Sequence, residues 1–94
     1  MEEKIKLFTL ENCPKCEYVK QHIPLEVDVD IITYPHNPKE WTVEQIVEAN
    51  QHEVYSMLKQ EAPILWVSDG TVIQGSLNIK KWLEWRKKNE NNTG

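Results

Sequence analysis

Apolar and polar residues alternate in two early segments of the chain, with the period of a β-strand. Residues 4–10 alternate and then become mostly apolar, which predicts a strand buried on much of both faces. Residues 25–34 alternate apolar and acidic side chains, which predicts a second strand, partly exposed on one face. Between them, Pro14 favours the first position of a helix, because its missing N–H would have no partner there. We therefore predict a first helix from Pro14 to about His22.

Farther along, the apolar residues recur at helical intervals. Thr42 and Gln45 have the spacing of a capping box at a helix start. We predict a helix over 42–60, broken or bent near residues 50–52, and a last helix over 77–88.

Two short apolar runs lie between these helices and flank Asp69-Gly70, a pair typical of β-hairpins. Pro63 opens the first run and Gly75 follows the second. The predicted order is therefore β-α-β-α-β-β-α. Strands joined by a crossover helix run parallel, whereas a hairpin is antiparallel. This order predicts an α/β fold, a four-stranded mixed sheet with three or more helices covering both faces.

The length of 94 residues suits one domain, which we place at residues 1–89, followed by a flexible tail at 90–94. A net charge of −4 argues against nucleic acid, whose phosphates require a basic face. No apolar run approaches the roughly 20 residues that span a bilayer, and the acidic start does not resemble a signal peptide. We therefore expect a cytoplasmic monomer that binds neither nucleic acid nor membrane.

The chain contains two cysteines, Cys13 and Cys16, a spacing that suits redox chemistry or half of a metal site. Cys13 is predicted at the N-cap of the first helix, and Cys16 on its inward stripe with Val19. The N–H groups and dipole of the helix start, together with Lys15, would lower the pKa of the Cys13 thiol below its usual value of about 8.5. Cys13 is thus the expected attacking thiolate, and the shielded Cys16 the expected resolving thiol.

The run Cys13-Pro14-Lys15-Cys16 after a first strand resembles the Cys-Pro-x-Cys pattern of dithiol glutaredoxins, which belong to the thioredoxin-fold superfamily. The likeness extends over residues 4–88. It implies a thioredoxin fold and a thiol–disulfide oxidoreductase that reduces protein or low-molecular-weight disulfides. Pro14 and Lys15 would support the two cysteines.

Two further pairs carry the same resemblance. Ala62-Pro63 resembles the proline that thioredoxin-fold proteins hold in cis opposite the redox pair, and Gly75-Ser76 resembles the glycine-containing turn before the last helix. The backbone of Ala62 would then pair with an extended substrate segment. The predicted substrate-binding residues are Ala62, Tyr18, Gly75, Ser76 and Asn78, with Tyr18 lining the groove beside Cys13.

The electron donor is left open between glutathione and a reductase, and no bound cofactor is expected. Glutaredoxins that use glutathione usually hold it with a basic residue before the motif, an aromatic residue within it and an acid after the glycine turn. Leu10, Lys15 and Leu77 stand at those positions here, so the sequence departs from the pattern.

One alternative uses the same cysteines to bind a metal ion, or an iron–sulfur cluster shared between two chains as in some glutaredoxin-like proteins. His22, His36 and His52 are candidate partners, but they lack the paired spacing of zinc ligands. A second alternative is a binding module without activity, with Tyr34, Trp41 and Trp85 as exposed anchors. We expect these three aromatic residues to be packed instead.

Overall fold

The computed structural model describes residues 3–91 and contains one four-stranded mixed sheet. Its strands are β1 (Ile5–Leu10), β2 (Asp30–Tyr34), β3 (Ile64–Val67) and β4 (Val72–Gln74), in the spatial order β2-β1-β3-β4. β1 is parallel to β2 and antiparallel to β3, and β3 is antiparallel to β4. The predicted fold class is therefore confirmed.

In the described part of the chain, the sheet is accompanied by four α-helices, namely α1 (Pro14–Gln21), α2 (Val43–Gln51), α3 (Tyr55–Gln60) and α4 (Ser76–Asn91). The predicted break near residues 50–52 is the junction between α2 and α3, where Glu53 has a φ of 58°. The predicted capping box is present, because the Thr42 hydroxyl accepts the N–H of Gln45 at 3.1 Å.

The second strand is shorter than predicted. Residues 25–29 are not part of it, since the ladder between β1 and β2 starts where Lys6 lies opposite Asp30. The Val27 N–H instead donates to the carbonyl of Pro24 at 3.1 Å, in a turn that buries Val27 and leaves Leu25 fully exposed. The alternation in this segment therefore reflects a turn that points some side chains into the core and others into solvent.

The last helix is longer than predicted, because it begins at Ser76 and ends at Asn91. Residues 90–91 of the predicted tail are therefore helical. The rest of the predicted tail, residues 92–94, lies outside the described residues. No helix within residues 3–91 combines the length and hydrophobicity needed to cross a membrane.

The predicted hairpin joins β3 to β4. Its loop is residues 68–70, closed by the Val67 N–H donating to the carbonyl of Thr71 at 2.9 Å. Gly70 has a φ of 100°, in the left-handed region that favours glycine in the last position of such a loop. The hydroxyl and N–H of Thr71 hydrogen-bond to the Asp69 carboxylate and hold its pKa below the usual value.

Successive side chains of a strand point to opposite faces of the sheet, and the core is divided accordingly. We call one half the aliphatic cluster: Ile5, Leu7, Val19, Val27, Leu65, Val67, Ile79 and Leu83. We call the other half the aromatic cluster: Phe8, Cys16, Tyr34, Trp41, Ala49, Val54, Leu58, Ala62 and Ile64. The helical members of the aliphatic cluster come from α1 and α4. Those of the aromatic cluster come from α2 and α3, together with Cys16 of α1, so helices cover both faces as predicted.

The three aromatic residues expected to be packed behave differently from one another. Tyr34 and Trp41 are buried, and their polar atoms are satisfied by Glu48 and by the carbonyl of Pro35 at 2.6 and 2.8 Å. Trp85 is 55% exposed, so the expectation was wrong for this residue.

Candidate redox site

Cys13 and Cys16 form a disulfide at the start of α1, with their Cα atoms 5.2 Å apart. Cys13 is the N-cap residue, as predicted, and has extended backbone angles. Its side chain is half-buried, whereas Cys16 is 0% exposed. The two sulfur atoms therefore differ strongly in access to solvent.

The helix start holds the Cys13 sulfur directly. The Cys16 N–H donates to Cys13 Sγ at 3.1 Å, and the Glu17 N–H donates to the Cys13 carbonyl at 3.0 Å. Pro14 stands at the first helical position, where it withholds no needed donor. A negative charge on Cys13 Sγ would be stabilised by this N–H and by the positive end of the helix dipole.

The loop before Cys13 is fixed to the end of β2. The Glu11 N–H donates to the carbonyl of Tyr34 at 2.9 Å, and His36 Nδ1 lies 3.0 Å from the Glu11 carbonyl. Asn12 has a φ of 54°, a value that asparagine tolerates in a tight turn. These contacts turn the chain from β1 into α1 and set the position of Cys13.

The Ala62-Pro63 peptide bond is cis, as the resemblance implied. Ala62 is buried in the aromatic cluster together with Cys16, and Cys13 packs against the same cluster. The Gly75 N–H donates to the Pro63 carbonyl at 3.2 Å, and Gly75 has a φ of 97°. The structure thus brings the cysteine pair, Ala62-Pro63 and Gly75 to one end of the sheet.

Lys15 contacts a residue that the sequence analysis did not single out. Its Nζ lies 2.9 Å from Glu61 Oε2, and both side chains are about half exposed. The pair joins the start of α1 to the loop that carries Ala62-Pro63. Because Glu61 neutralises the Lys15 ammonium, the cation predicted to support Cys13 is shared with this carboxylate.

Gln74 is a second residue that sequence reasoning missed. Its Nε2 donates to the carbonyls of Met57 and Glu61, at 3.0 and 3.1 Å. The side chain therefore ties the end of β4 to the end of α3 and to the loop before Pro63. Only weak features of the sequence could have pointed to these two residues. Glu61 is a charged residue directly before Ala62-Pro63, and Gln74 is a polar residue at the end of an apolar run.

The other predicted substrate-binding residues are less closely grouped. Ser76 and Asn78 begin α4, and Asn78 Nδ2 donates to the Gln74 carbonyl at 3.2 Å. Tyr18 packs against the aliphatic cluster, with its ring centroid 4.3 Å from that of His22. Tyr18 thus contacts the half of the core that does not contain Cys16.

The three histidines lie apart from one another, each with Nδ1 within hydrogen-bond distance of a backbone carbonyl. His22 contacts Tyr18 at 2.7 Å and His52 contacts Glu48 at 2.7 Å, whereas His36 contacts Glu11. Over residues 3–91, no group of three or more potential ligands is arranged to hold a metal ion.

Comparisons with known proteins agree with the fold. No protein-family model matches the chain, and no curated protein matches it. Among solved structures, glutaredoxin 1 from Francisella tularensis, crystallised with cacodylate, is similar with a TM-score of 0.56. The match covers 93% of this chain and 99% of that chain at 16% sequence identity. The chain therefore has a thioredoxin fold of the glutaredoxin type, with a cysteine pair at the start of its first helix.

Proposed function

We propose that this protein is a thiol–disulfide oxidoreductase that reduces protein or low-molecular-weight disulfides through Cys13 and Cys16. The observation that carries the proposal is the bonded pair with unequal exposure, in which Cys13 is half-buried at a helix N-cap and Cys16 is fully buried. A relay of this kind needs one sulfur that a substrate can reach and one that is protected until it is used.

In the first step, the Cys13 thiolate attacks one sulfur of the substrate disulfide. The substrate S–S bond breaks, a mixed disulfide to Cys13 forms, and the other substrate sulfur leaves as a thiolate that takes a proton from water. The Cys16 N–H, which lies 3.1 Å from Cys13 Sγ, stabilises the attacking thiolate.

In the second step, Cys16 loses its proton and attacks Cys13 Sγ. The mixed disulfide breaks and the second substrate thiol is released, so two electrons have passed from the protein to the substrate. The product of this step is a Cys13–Cys16 disulfide, a bond that the positions of the two residues permit. Two thiols from glutathione, or a reductase, must then reduce it to restart the cycle.

The substrate segment is proposed to lie in extended form along the backbone of Ala62, next to the cysteine pair. Gly75 hydrogen-bonds to Pro63 and belongs to the same end of the sheet, and Ser76 and Asn78 follow it at the start of α4. We include these residues in the proposed site. We leave Tyr18 out, because it packs against the aliphatic cluster.

The proposal is tested by reduction of a small disulfide and of a protein disulfide with wild-type protein, Cys13→Ser and Cys16→Ser. We expect Cys13→Ser to abolish both activities, and Cys16→Ser to abolish protein reduction while single-cysteine deglutathionylation persists in part. Full reductase activity in Cys13→Ser would contradict the proposed role of Cys13.

The same assay compares the two electron donors. The oxidised protein is mixed with glutathione or with a thioredoxin-reductase-type enzyme, and the rate of loss of the disulfide is measured. Faster reduction by glutathione would assign it as co-substrate, although Leu10 and Leu77 stand where glutathione-binding residues usually lie.

An absorption spectrum and metal analysis of anaerobically purified protein test the alternative, in which the two cysteines bind a metal ion or an iron–sulfur cluster. A bound cluster would support this alternative over the oxidoreductase.

A further inference from the structure

Charge is distributed very unevenly along this chain. Residues 76–91 contain five of the eleven lysine and arginine residues, but only two of the fifteen acidic residues. Helix α4 is therefore basic, while the remainder of the chain carries thirteen acidic residues against six basic ones. A protein with a net charge of −4 thus has one helix suited to an acidic partner.

The outward side of α4 carries two large apolar side chains and two exposed lysines. Leu77 is 64% exposed and Trp85 is 55% exposed, and Lys81 and Lys88 are exposed as well. At 3.6 residues per turn these four side chains lie within about 80° of arc. We call them the outward ridge of α4. The buried Ile79 and Leu83 lie on the opposite side of the helix.

The chemistry of this ridge is that of a docking surface. Exposed tryptophan is enriched among residues that dominate binding energy, because it buries a large area with few rotatable bonds. Lys81 is one turn before Trp85 and Lys88 is one turn after it, so an apolar contact at Trp85 would have a cation on each side. Trp82, whose ring centroid is 6.1 Å from that of Trp85, supports it from the buried side.

The ridge begins beside the proposed redox site. Leu77 lies two residues after Gly75, whose N–H binds the Pro63 carbonyl next to the cysteine pair. From Leu77 to Lys88 the helix rises about 16 Å, which about five residues of extended chain would cover. A partner whose disulfide is at Cys13 can therefore reach the ridge with a short segment.

We propose that the outward ridge of α4 docks an acidic segment, with an apolar residue in it, of the protein whose disulfide is reduced at Cys13. This inference rests on the proposed function and names the class of its substrate. The cations steer and orient the acidic segment, and Trp85 supplies the apolar contact. Since both lysines are exposed, their effect falls as salt screens them.

The test uses two synthetic peptides, each joined through one cysteine to 5-thio-2-nitrobenzoate, whose release reports attack by the reduced protein. One peptide carries four acidic residues and a leucine within the segment of about five residues that follows its cysteine, and in the other the acidic residues are lysines. We expect the acidic peptide to react about tenfold faster at low salt, at the low end of electrostatic steering effects. We expect this preference to shrink to less than about threefold in 0.5 M NaCl.

Two variants and their matched controls locate the effect. Lys81→Glu and Trp85→Ala should each remove most of the preference for the acidic peptide. Lys4→Glu changes the net charge equally at the other end of β1, and Val43→Ala truncates an exposed apolar residue on α2. Both controls should retain the preference. All four variants should reduce bis(2-hydroxyethyl) disulfide, which is neutral and too small to reach the ridge, at the wild-type rate.

The possible outcomes test the docking inference separately from the proposed oxidoreductase activity. Equal rates on both peptides, with full activity on the small disulfide, would overturn the docking inference and leave the oxidoreductase proposal intact. No reaction with any disulfide would overturn the oxidoreductase proposal itself. A dimer in sedimentation that Lys81→Glu dissociates, or binding to phosphatidylserine vesicles without peptide preference, would assign the ridge to another occupant and contradict the inference.

Discussion

The two halves of the core are built from different side chains and make different kinds of contact. The aliphatic cluster consists of Ile, Leu and Val residues whose packing requires no direction. The aromatic cluster contains Phe8, Tyr34 and Trp41 with rings in edge contact, and it includes Cys16 and Ala62. Directional contacts thus surround the half that holds the buried cysteine, while the other half supplies nonpolar burial alone.

This difference suggests a division of work between the two clusters. Burial of aliphatic side chains stabilises the sheet and its helices wherever the volume is filled. Edge contacts and hydrogen bonds fix particular positions, as the Tyr34 hydroxyl does with Glu48 at 2.6 Å. We expect changes in the aliphatic cluster to alter stability alone, and changes around the aromatic cluster to alter the geometry of the site as well as stability.

Leu83→Ala should have the largest effect on stability. Leu83 is 0% exposed in the aliphatic cluster, and truncation of such a leucine costs about 2–5 kcal/mol of unfolding free energy. Urea denaturation measures this loss, and Leu25→Ala, at a fully exposed position, is the control that should change stability by less than about 0.5 kcal/mol. The activity of the molecules that remain folded should be unchanged. A large loss of activity at full folding would contradict the division between the clusters.

Tyr34→Phe should have an intermediate effect and a distinct pH dependence. It removes a hydrogen bond to a carboxylate, which contributes about 1.5–3 kcal/mol. Burial and the bond to Glu48 raise the pKa of Tyr34 above its usual value, whereas the unfolded chain ionises near pH 10. The native state therefore binds more protons at alkaline pH, and its stability must fall as the pH rises above about 10, by at most about 1.4 kcal/mol per pH unit.

The check is urea denaturation of wild-type protein and Tyr34→Phe between pH 8 and pH 11. The difference between the two proteins should be constant near pH 8 and should shrink above pH 10, because the variant lacks the raised pKa. A difference that stays constant to pH 11 would show that Tyr34 is not held in its neutral form.

Lys15→Gln should have the smallest effect on stability. The pair of Lys15 and Glu61 is about half exposed, and such pairs contribute about 0.2–1 kcal/mol. Lys20→Gln is the matched control, because it removes a pair with Glu17 that lies within one helix. Since only the first pair joins α1 to the loop before Pro63, Lys15→Gln should change the KM for a peptide disulfide more than Lys20→Gln does. Equal effects of the two variants on KM would argue that the pair does not position this loop.

Local chemistry made parts of this fold predictable from the sequence. Several features follow from residues that are adjacent in the sequence. They are the helix start at Pro14, the N-cap position of Cys13, the capping box at Thr42 and the Asp69-Gly70 loop. The strand order follows from connectivity, because a crossover helix enforces parallel pairing and a hairpin enforces antiparallel pairing. These features were predicted and are present.

Features that depend on distant contacts were not predictable in the same way. The alternation over residues 25–29 did not distinguish a strand from a turn. These residues would form a strand only if β1 extended far enough to pair with them. The predicted helix over 77–88 includes Trp85, but the spacing of its apolar residues could not show whether Trp85 is covered. Lys15 and Glu61 are 46 residues apart, and Gln74 contacts residues 13 and 17 positions away, so these contacts exist only in the folded chain.

The most direct test of the central claim is to trap the mixed disulfide. Reduced Cys16→Ser and Cys13→Ser are each mixed with one equivalent of a peptide disulfide and analysed by intact-protein mass spectrometry with peptide mapping. The account predicts that Cys16→Ser accumulates a stable adduct on Cys13, whereas Cys13→Ser forms little adduct because its remaining thiol is fully buried. Rapid adduct formation on Cys16, with none on Cys13, would contradict the assignment of attacking and resolving cysteines.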